Sequence, residues 1–380
     1  MNRTGFENLR GVLRRAVEKK HAAGISALVL EGQDEYFCVE GFADLENGIP
    51  MRRDTICRLY SMTKPVTAAA AMLLLERGVL DLAEPVSAYL PGFEGQGTTI
   101  RQLLSMTSGL VYGDHNSLAG RQTAAVFDDM IRRLRSDAPV GTLEMANRLG
   151  RCAPAFEPGS SWCYGSSADV MGAVIEAASG MRFGEFLRRE LFDPLAMNDT
   201  GFFVPEEKQP RLAKAYTETE DGLRLFEGDH LAVLNRMDID PAFESGGAGL
   251  VSTLDDYAHF ARMLMDGGSF GGRQILAPGT VRYFTAPYLN ERQQRAMEVN
   301  WSLPGYSYGN FMRVLREGGR ADTLTSPGEY GWDGWLGCYF CNAPAENLIL
   351  LVMMQRVDTG VGTLTRCIRN TVFAQSGPRT

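Results

Sequence analysis

The chain has 380 residues, of which 44% are hydrophobic and 22% charged. That excludes a disordered or collagen-like chain, and a chain too short to bury a core; it suits two domains or one large one. With 38 Lys plus Arg against 46 Asp plus Glu, the formal charge is −8, which excludes nucleic acid as the main partner because that needs a basic surface.

Apolar residues recur at helical spacing through residues 8–20, and Gly24 stops them. Residues 25–30 and 36–39, parted by a polar turn, read as a strand hairpin. A short strand at 55–60 leads into a helix over 61–77. That helix is apolar nearly all round and so should be buried. Short helical pieces follow at 85–90 and 100–106, then a Thr-Ser-Gly turn at 107–109. Helices are expected at 124–135, 142–149, 166–178 and 183–191, with a loop at 154–159. Residues 199–245 read as loop-rich. A glycine-rich turn at 244–250 precedes a helix over 253–265 with acidic residues in its first turn. Strand-like stretches follow at 306–314, 334–342 and 347–354, and a last helix covers 361–374. Strands thus sit at both ends of the chain and helices fill the middle. The economical arrangement is an α+β fold: one antiparallel sheet built from both chain ends, helices covering it, and a mainly helical region inserted. Residues 1–65 with 290–380 would form a discontinuous α/β domain, residues 66–289 the helical region, and the active site would lie at their junction.

The first 31 residues are charged and carry no continuous apolar segment, so they do not read as a secretory signal. The run at 66–75 is too short to span a bilayer. The seven cysteines are irregularly spaced, and Cys338-x-x-Cys341 has no second pair at zinc-site spacing. Free thiols in a reducing compartment, no metal, no cofactor, no membrane and a cytoplasmic location are therefore expected. A homo-oligomer is left open.

Three segments carry chemistry. The first is Ser61-Met62-Thr63-Lys64. Ser-x-x-Lys occurs once, because the chain has only the lysines Lys19, Lys20, Lys64, Lys208 and Lys214. Residues three apart share a helix face, so the Lys64 amine can reach the Ser61 hydroxyl. The positive end of the helix and burial favour the neutral amine, which can take the serine proton. Amides at the same helix end could hold an oxyanion. The plain alternative is a capping serine followed by an exposed lysine. The second segment is Tyr164-Gly165-Ser166, whose phenol could act as acid or base beside a lysine, with Ser166 adding a hydroxyl. The alternative there is packing. The third is the glycine-rich strand Tyr330-Gly331-Trp332-Asp333-Gly334-Trp335, where a ligand or backbone can approach closely; a β-bulge with buried aromatics is its alternative. None of His21, His115, His230 and His259 stands in a Ser-His-Asp context, and Gly246-Gly247-Ala248-Gly249 lacks the lysine of a phosphate loop.

The order Ser-x-x-Lys, Tyr-x-Ser, Trp-x-Gly resembles the serine β-lactamase and penicillin-binding protein superfamily. It is most similar to class C β-lactamases and family VIII carboxylesterases. The stretches 59–67 (LYSMTKPVT), 103–110 (LLSMTSGL), 197–216 and 246–268 (GGAGLVSTLDDYAHFARMLMDGG) support the resemblance, which spans roughly residues 8–375. It implies that Ser61 is acylated, that Lys64 and Tyr164 share the base and acid work, and that the Ser61 and Trp335 amides form the oxyanion hole. Ser166, Trp332, Asp333 and Gly334 would contact substrate, Ser166 where an asparagine is usual. Where lactamases carry Lys-Thr-Gly or His-x-Gly this chain has Trp332-Asp333-Gly334, similar to the Trp-Gly-Gly of the esterases. The resemblance therefore implies a hydrolase of short-chain, neutral carboxylic esters. The alternatives are a β-lactamase, D-amino-acid peptidase or amidase, or acyltransferase on the same site, and a non-catalytic binding or scaffold protein of the same fold.

Overall fold

The computed structural model describes residues 1–301 and 303–375. In chain order the strands are β1 (Gly24–Glu31), β2 (Asp34–Asp44), β3 (Ile49–Pro50), β4 (Cys57–Arg58), β5 (Ala215–Thr219), β6 (Gly222–Phe226), β7 (Val251–Ser252), β8 (Ser269–Phe270), β9 (Arg273–Gln274), β10 (Tyr306–Tyr308), β11 (Arg313–Leu315), β12 (Tyr330–Asp333), β13 (Tyr339–Ala343) and β14 (Leu348–Met354). The helices are α1 (Arg3–Glu18), α2 (Thr63–Glu76), α3 (Ile100–Leu104), α4 (Leu118–Arg133), α5 (Thr142–Gly150), α6 (Ser167–Ser179), α7 (Phe183–Leu187), α8 (Leu254–Met265), α9 (Pro278–Phe284), α10 (Glu291–Asn300) and α11 (Thr363–Phe373).

One antiparallel sheet runs β10-β11-β12-β13-β14-β1-β2-β3. Its seam joins the two ends of the chain: Ile25 faces Met354 and Glu31 faces Leu348 across β1 and β14. Successive side chains of a strand point to opposite faces, so β1 divides its residues between two cores. Ala27 and Val29 pack with Leu9 and Leu13 of α1 and Ile368 and Val372 of α11. Leu28 and Leu30 join the larger core with α2, α6 and α8. Fully burying one such side chain stabilises by about 1.5–3 kcal/mol. Helix α2 buries nearly its whole surface, Thr63 through Leu74, as its even apolar pattern predicts.

A buried ion pair ties α11 to the sheet. Arg369 meets Glu329 with two bonds, Nη1 to Oε1 at 2.6 Å and Nη2 to Oε2 at 2.9 Å. The Tyr306 hydroxyl donates to Oε1 at 2.9 Å, and both charged side chains are almost wholly out of solvent.

The structure differs from the sequence expectations in five places, one being the strand expected at 334–342, where 334–338 instead turn the chain between β12 and β13. Residues 306–314 form two strands, β10 and β11, rather than one, because 309–312 turn the chain, with Phe311 at φ +58°. Within the loop-rich 199–245, β5 and β6 form a hairpin. Helices α9 and α10 stand where none is expected. The helix expected from Ser61 starts at Thr63, and Tyr60–Met62 is a 3-10 turn. Among the described residues no helix is long and apolar enough to cross a membrane.

Candidate active site

Strand β4 pairs with β7, and the Leu59 amide donates to the Leu250 carbonyl at 2.8 Å. This fixes the segment leading to Ser61. Tyr60 then takes a left-handed backbone, φ +44°, a conformation unfavourable for a residue with a Cβ. Its ring is held edge-on to Trp335 at 5.0 Å. The chain turns there, and α2 starts two residues after Ser61. Gly334, at the end of β12, lies against the same segment. A Cβ on it would stand 2.1 Å from the Leu59 carbonyl oxygen, so only glycine lets the strand come this close.

Lys64 is fully buried. Its Nζ donates to the Gly247 carbonyl at 2.8 Å and lies 3.1 Å from both Ser61 Oγ and the Tyr112 hydroxyl. Burial pushes its pKa down to about 8, against the pull of the Asp169 and Asp333 carboxylates. Tyr164 places its ring 4.7 Å from Lys64 Nζ and its hydroxyl within hydrogen-bonding reach of Ser61. The Trp332 indole N–H donates to that hydroxyl at 3.1 Å. Burial pushes the Tyr164 phenol far up, so it stays protonated.

Asp333 is buried beside Arg313, whose Nη1 donates to its Oδ1 at 3.2 Å. Burial raises the Asp333 carboxyl to about 6, while Arg313 and Lys64 oppose the rise. Asp169, in the first turn of α6, is likewise raised by burial. Its Oδ1 accepts from the Ser245 hydroxyl and from the Gly247 amide at 3.0 Å.

A cavity of about 620 Å3 opens on Ser61, walled by Tyr60, Tyr112, Tyr164, Trp301, Trp332 and Trp335. Its lining also carries Asp114, Asp128, Asp333 and Asp358 and, among the described residues, neither Lys nor Arg. Of the residues singled out from sequence, Ser61, Tyr164, Trp332, Asp333 and Trp335 meet there, with Lys64 directly behind. Two do not. Ser166 is fully buried, its hydroxyl has no partner among the described residues, and it is not on the cavity wall. Its place is the residue before α6, where the helix start packs into the core. Gly334 also stands off the wall, spent on the contact with Leu59.

Three participants went unread in the sequence. Tyr112 follows the Thr-Ser-Gly turn by three residues, and only the fold brings it to Lys64. His230 reaches the cavity wall, stacked on Trp335 at 4.1 Å, and burial lowers its pKa, so it adds no cation near pH 7. The glycine turn at 246–249 supplies the carbonyl that holds Lys64.

A family profile described as Beta-lactamase matches residues 9–368. Esterase EstB of Burkholderia gladioli is 31% identical over 391 residues, covering 97% of this chain and 95% of that protein. Protein Rv1367c of Mycobacterium tuberculosis is 31% identical over 347 residues, covering 83% of this chain and 81% of its own. The solved structure of EstCE1, a hydrolase with promiscuous acyltransferase activity, superposes with a TM-score of 0.85 at 26% identity, covering 97% of this chain and 99% of that one. With the sheet built from both chain ends and a serine and a lysine in contact at the head of a buried helix, the chain belongs to the beta-lactamase family and is a serine hydrolase of that fold.

Proposed function

We propose that the protein is a carboxylesterase that cleaves neutral, short-chain esters through an acyl-enzyme on Ser61. The observation that carries this reading is the lining of the cavity, aromatic and acidic with neither Lys nor Arg among the described residues of its wall, around a serine in contact with a desolvated lysine. The neutral Lys64 amine takes the Ser61 proton as Oγ attacks the ester carbonyl. The oxyanion that forms sits on the Ser61 and Trp335 amides. Trp335 is the second residue of a turn closed by the Gly337 amide on the Gly334 carbonyl at 2.9 Å, so the turn's own bond does not use the Trp335 N–H. Tyr164 passes its proton to the leaving alkoxide as it takes the one Lys64 carries, so the phenol ends protonated and Lys64 is neutral again. Water then attacks the acyl carbon and gives its proton to the neutral Lys64 amine, which returns it to Ser61 Oγ as the acyl bond breaks. On this reading the site lies between the α/β part, 1–65 with 290–380, and the helical region 66–289. The esterase name of EstB supports the substrate class, and EstCE1 is named a hydrolase.

The test is turnover of p-nitrophenyl butyrate together with stoichiometric labelling of Ser61 by a serine-reactive phosphonate. Turnover without labelling at Ser61 removes the acyl-enzyme. Acyl transfer is the second reading, favoured by walls that would accept an apolar alcohol in place of water and by the acyltransferase activity named for EstCE1.

Two further outcomes are expected. A charge-assisted contact to a substrate carboxylate is worth about 1.5–3 kcal/mol, and this cavity offers acidic groups instead. The kcat/KM for p-nitrophenyl butyrate should therefore exceed that for p-nitrophenyl hemisuccinate by roughly 10-fold or more; equal values remove the charge argument. Secondly, Lys64 works as a base only when neutral. With its pKa pushed down to about 8, activity should climb with pH through that value and level off above it. A rate already flat from pH 6 upward would assign the base elsewhere.

A further inference from the structure

Asp169 takes no part in the proton transfers above, yet it is the fully buried carboxylate that holds the turn in front of Lys64. We infer that Asp169 is a positioning residue for Lys64: through the 245–249 turn it fixes the carbonyl that orients the amine, and its charge favours the ammonium formed when Lys64 takes the Ser61 proton. The inference rests on the reading of Lys64 as the base.

The geometry is a clamp. Asp169 Oδ1 accepts from the Ser245 hydroxyl and the Gly247 amide. The Gly247 carbonyl accepts from Lys64 Nζ, and the Gly246 carbonyl accepts from the Thr67 hydroxyl at 2.7 Å. The turn is thus tied to α6 on one side and to α2 on the other. A Cβ on Gly247 would stand 2.7 Å from Asp169 Oδ2, so glycine at 247 is what lets the carboxylate close on the turn. A carbonyl can only accept, so one N–H of the neutral amine is always committed to Gly247. That commitment orients the remaining N–H and the lone pair toward Tyr112 and Ser61. When the proton moves from Ser61 Oγ to Lys64 Nζ, the oxygen electron pair goes to the ester carbonyl carbon and a positive charge appears on Nζ. Asp169 is a buried opposite charge acting on it.

The groups that face Lys64 are few. Asp169 comes from α6, and Asp333 comes from β12 with Arg313 of β11 behind it. Tyr112 and Tyr164 complete the shell, and burial keeps both phenols protonated. Of the two carboxylates, Asp333 is matched by a buried arginine and Asp169 is not.

The test is the pH profile of kcat/KM on p-nitrophenyl butyrate for wild type, Asp169→Asn and Ser245→Ala. The asparagine carbonyl can keep both bonds that Oδ1 accepts while removing the charge. Its acid limb should move to lower pH by on the order of one unit, and its plateau should fall about 10-fold because the weaker base transfers the proton less well. A residue that only stabilised the fold would lower the plateau and leave the limb in place. A limb that coincides with wild type, or moves upward, overturns the inference. Ser245→Ala keeps the charge and loosens the turn, so kcat should fall several-fold with KM and the limb unchanged; an unchanged kcat overturns the positioning role even where the asparagine protein does not fold. A Lys64→Ala protein with the wild-type rate would bring down the base assignment, and this inference with it, whereas a wild-type limb that Asp169→Asn leaves in place brings down this inference alone.

Discussion

Ser61→Ala is expected to lower kcat/KM for p-nitrophenyl butyrate by about 10^4-fold or more, with KM for the residual reaction little changed. The hydroxyl lies 3.1 Å from a buried amine, and the methyl group that replaces it has no lone pair to give. Neither Tyr112 nor Tyr164 can stand in, because burial holds both phenols protonated. The change should cost little stability. Ser61 is only partly buried on a 3-10 turn, and the backbone that sets its position is fixed by β4, β7 and Gly334. Circular dichroism and the urea midpoint should match wild type while the rate is lost. A rate within 10-fold of wild type would show that ester cleavage in this protein does not run through Ser61.

The largest expected effect on stability lies far from the cavity. Glu329→Gln keeps the shape of the side chain but leaves the Arg369 guanidinium buried without a counter-charge. Breaking a buried pair from one side costs about 3–5 kcal/mol, read as a lower urea midpoint at unchanged slope. Replacing both residues by leucine should recover much of that loss, because the unpaired charge is then gone. A loss of less than about 1 kcal/mol for Glu329→Gln would mean that water reaches the guanidinium and the pair is not desolvated.

The parts legible in the sequence were those with a strong period or a scarce residue. Helix α2 announced itself by its unbroken apolar run, and β1 with β2 by two apolar stretches about a polar turn. Lys64 stood out because lysine is rare here. The missed elements lacked that signal. Helix α10 buries only Gln294 and Met297, so it has no apolar stripe; its Asn290–Gln293 capping box was the one mark it carried. The β5–β6 hairpin is half exposed, although Glu220-Asp221 between its strands, followed at once by Gly222, is a turn signal. Tyr112 and Asp169 could not be joined to Lys64, nor His230 to Trp335, from spacing, since each arrives from a different part of the chain. Ser166 was misjudged for a related reason: a hydroxyl two residues from Tyr164 in sequence points into the core once α6 begins.

The seam of the sheet bears on how the protein acquires its structure. During synthesis the β1–β2 hairpin emerges with one open edge long before β14, the strand that closes it. Closing so long a loop costs entropy before the pairing returns any stability, and high contact order slows folding. Until the last helix is released, the nascent chain exposes an apolar strand edge of the kind that invites misassembly. Refolding from urea should accordingly be slow and concentration-sensitive. A circular permutant that joins the old termini, with a new opening in the exposed 220–222 turn of the β5–β6 hairpin, would make β14 and β1 neighbours in sequence and should fold faster to the same sheet.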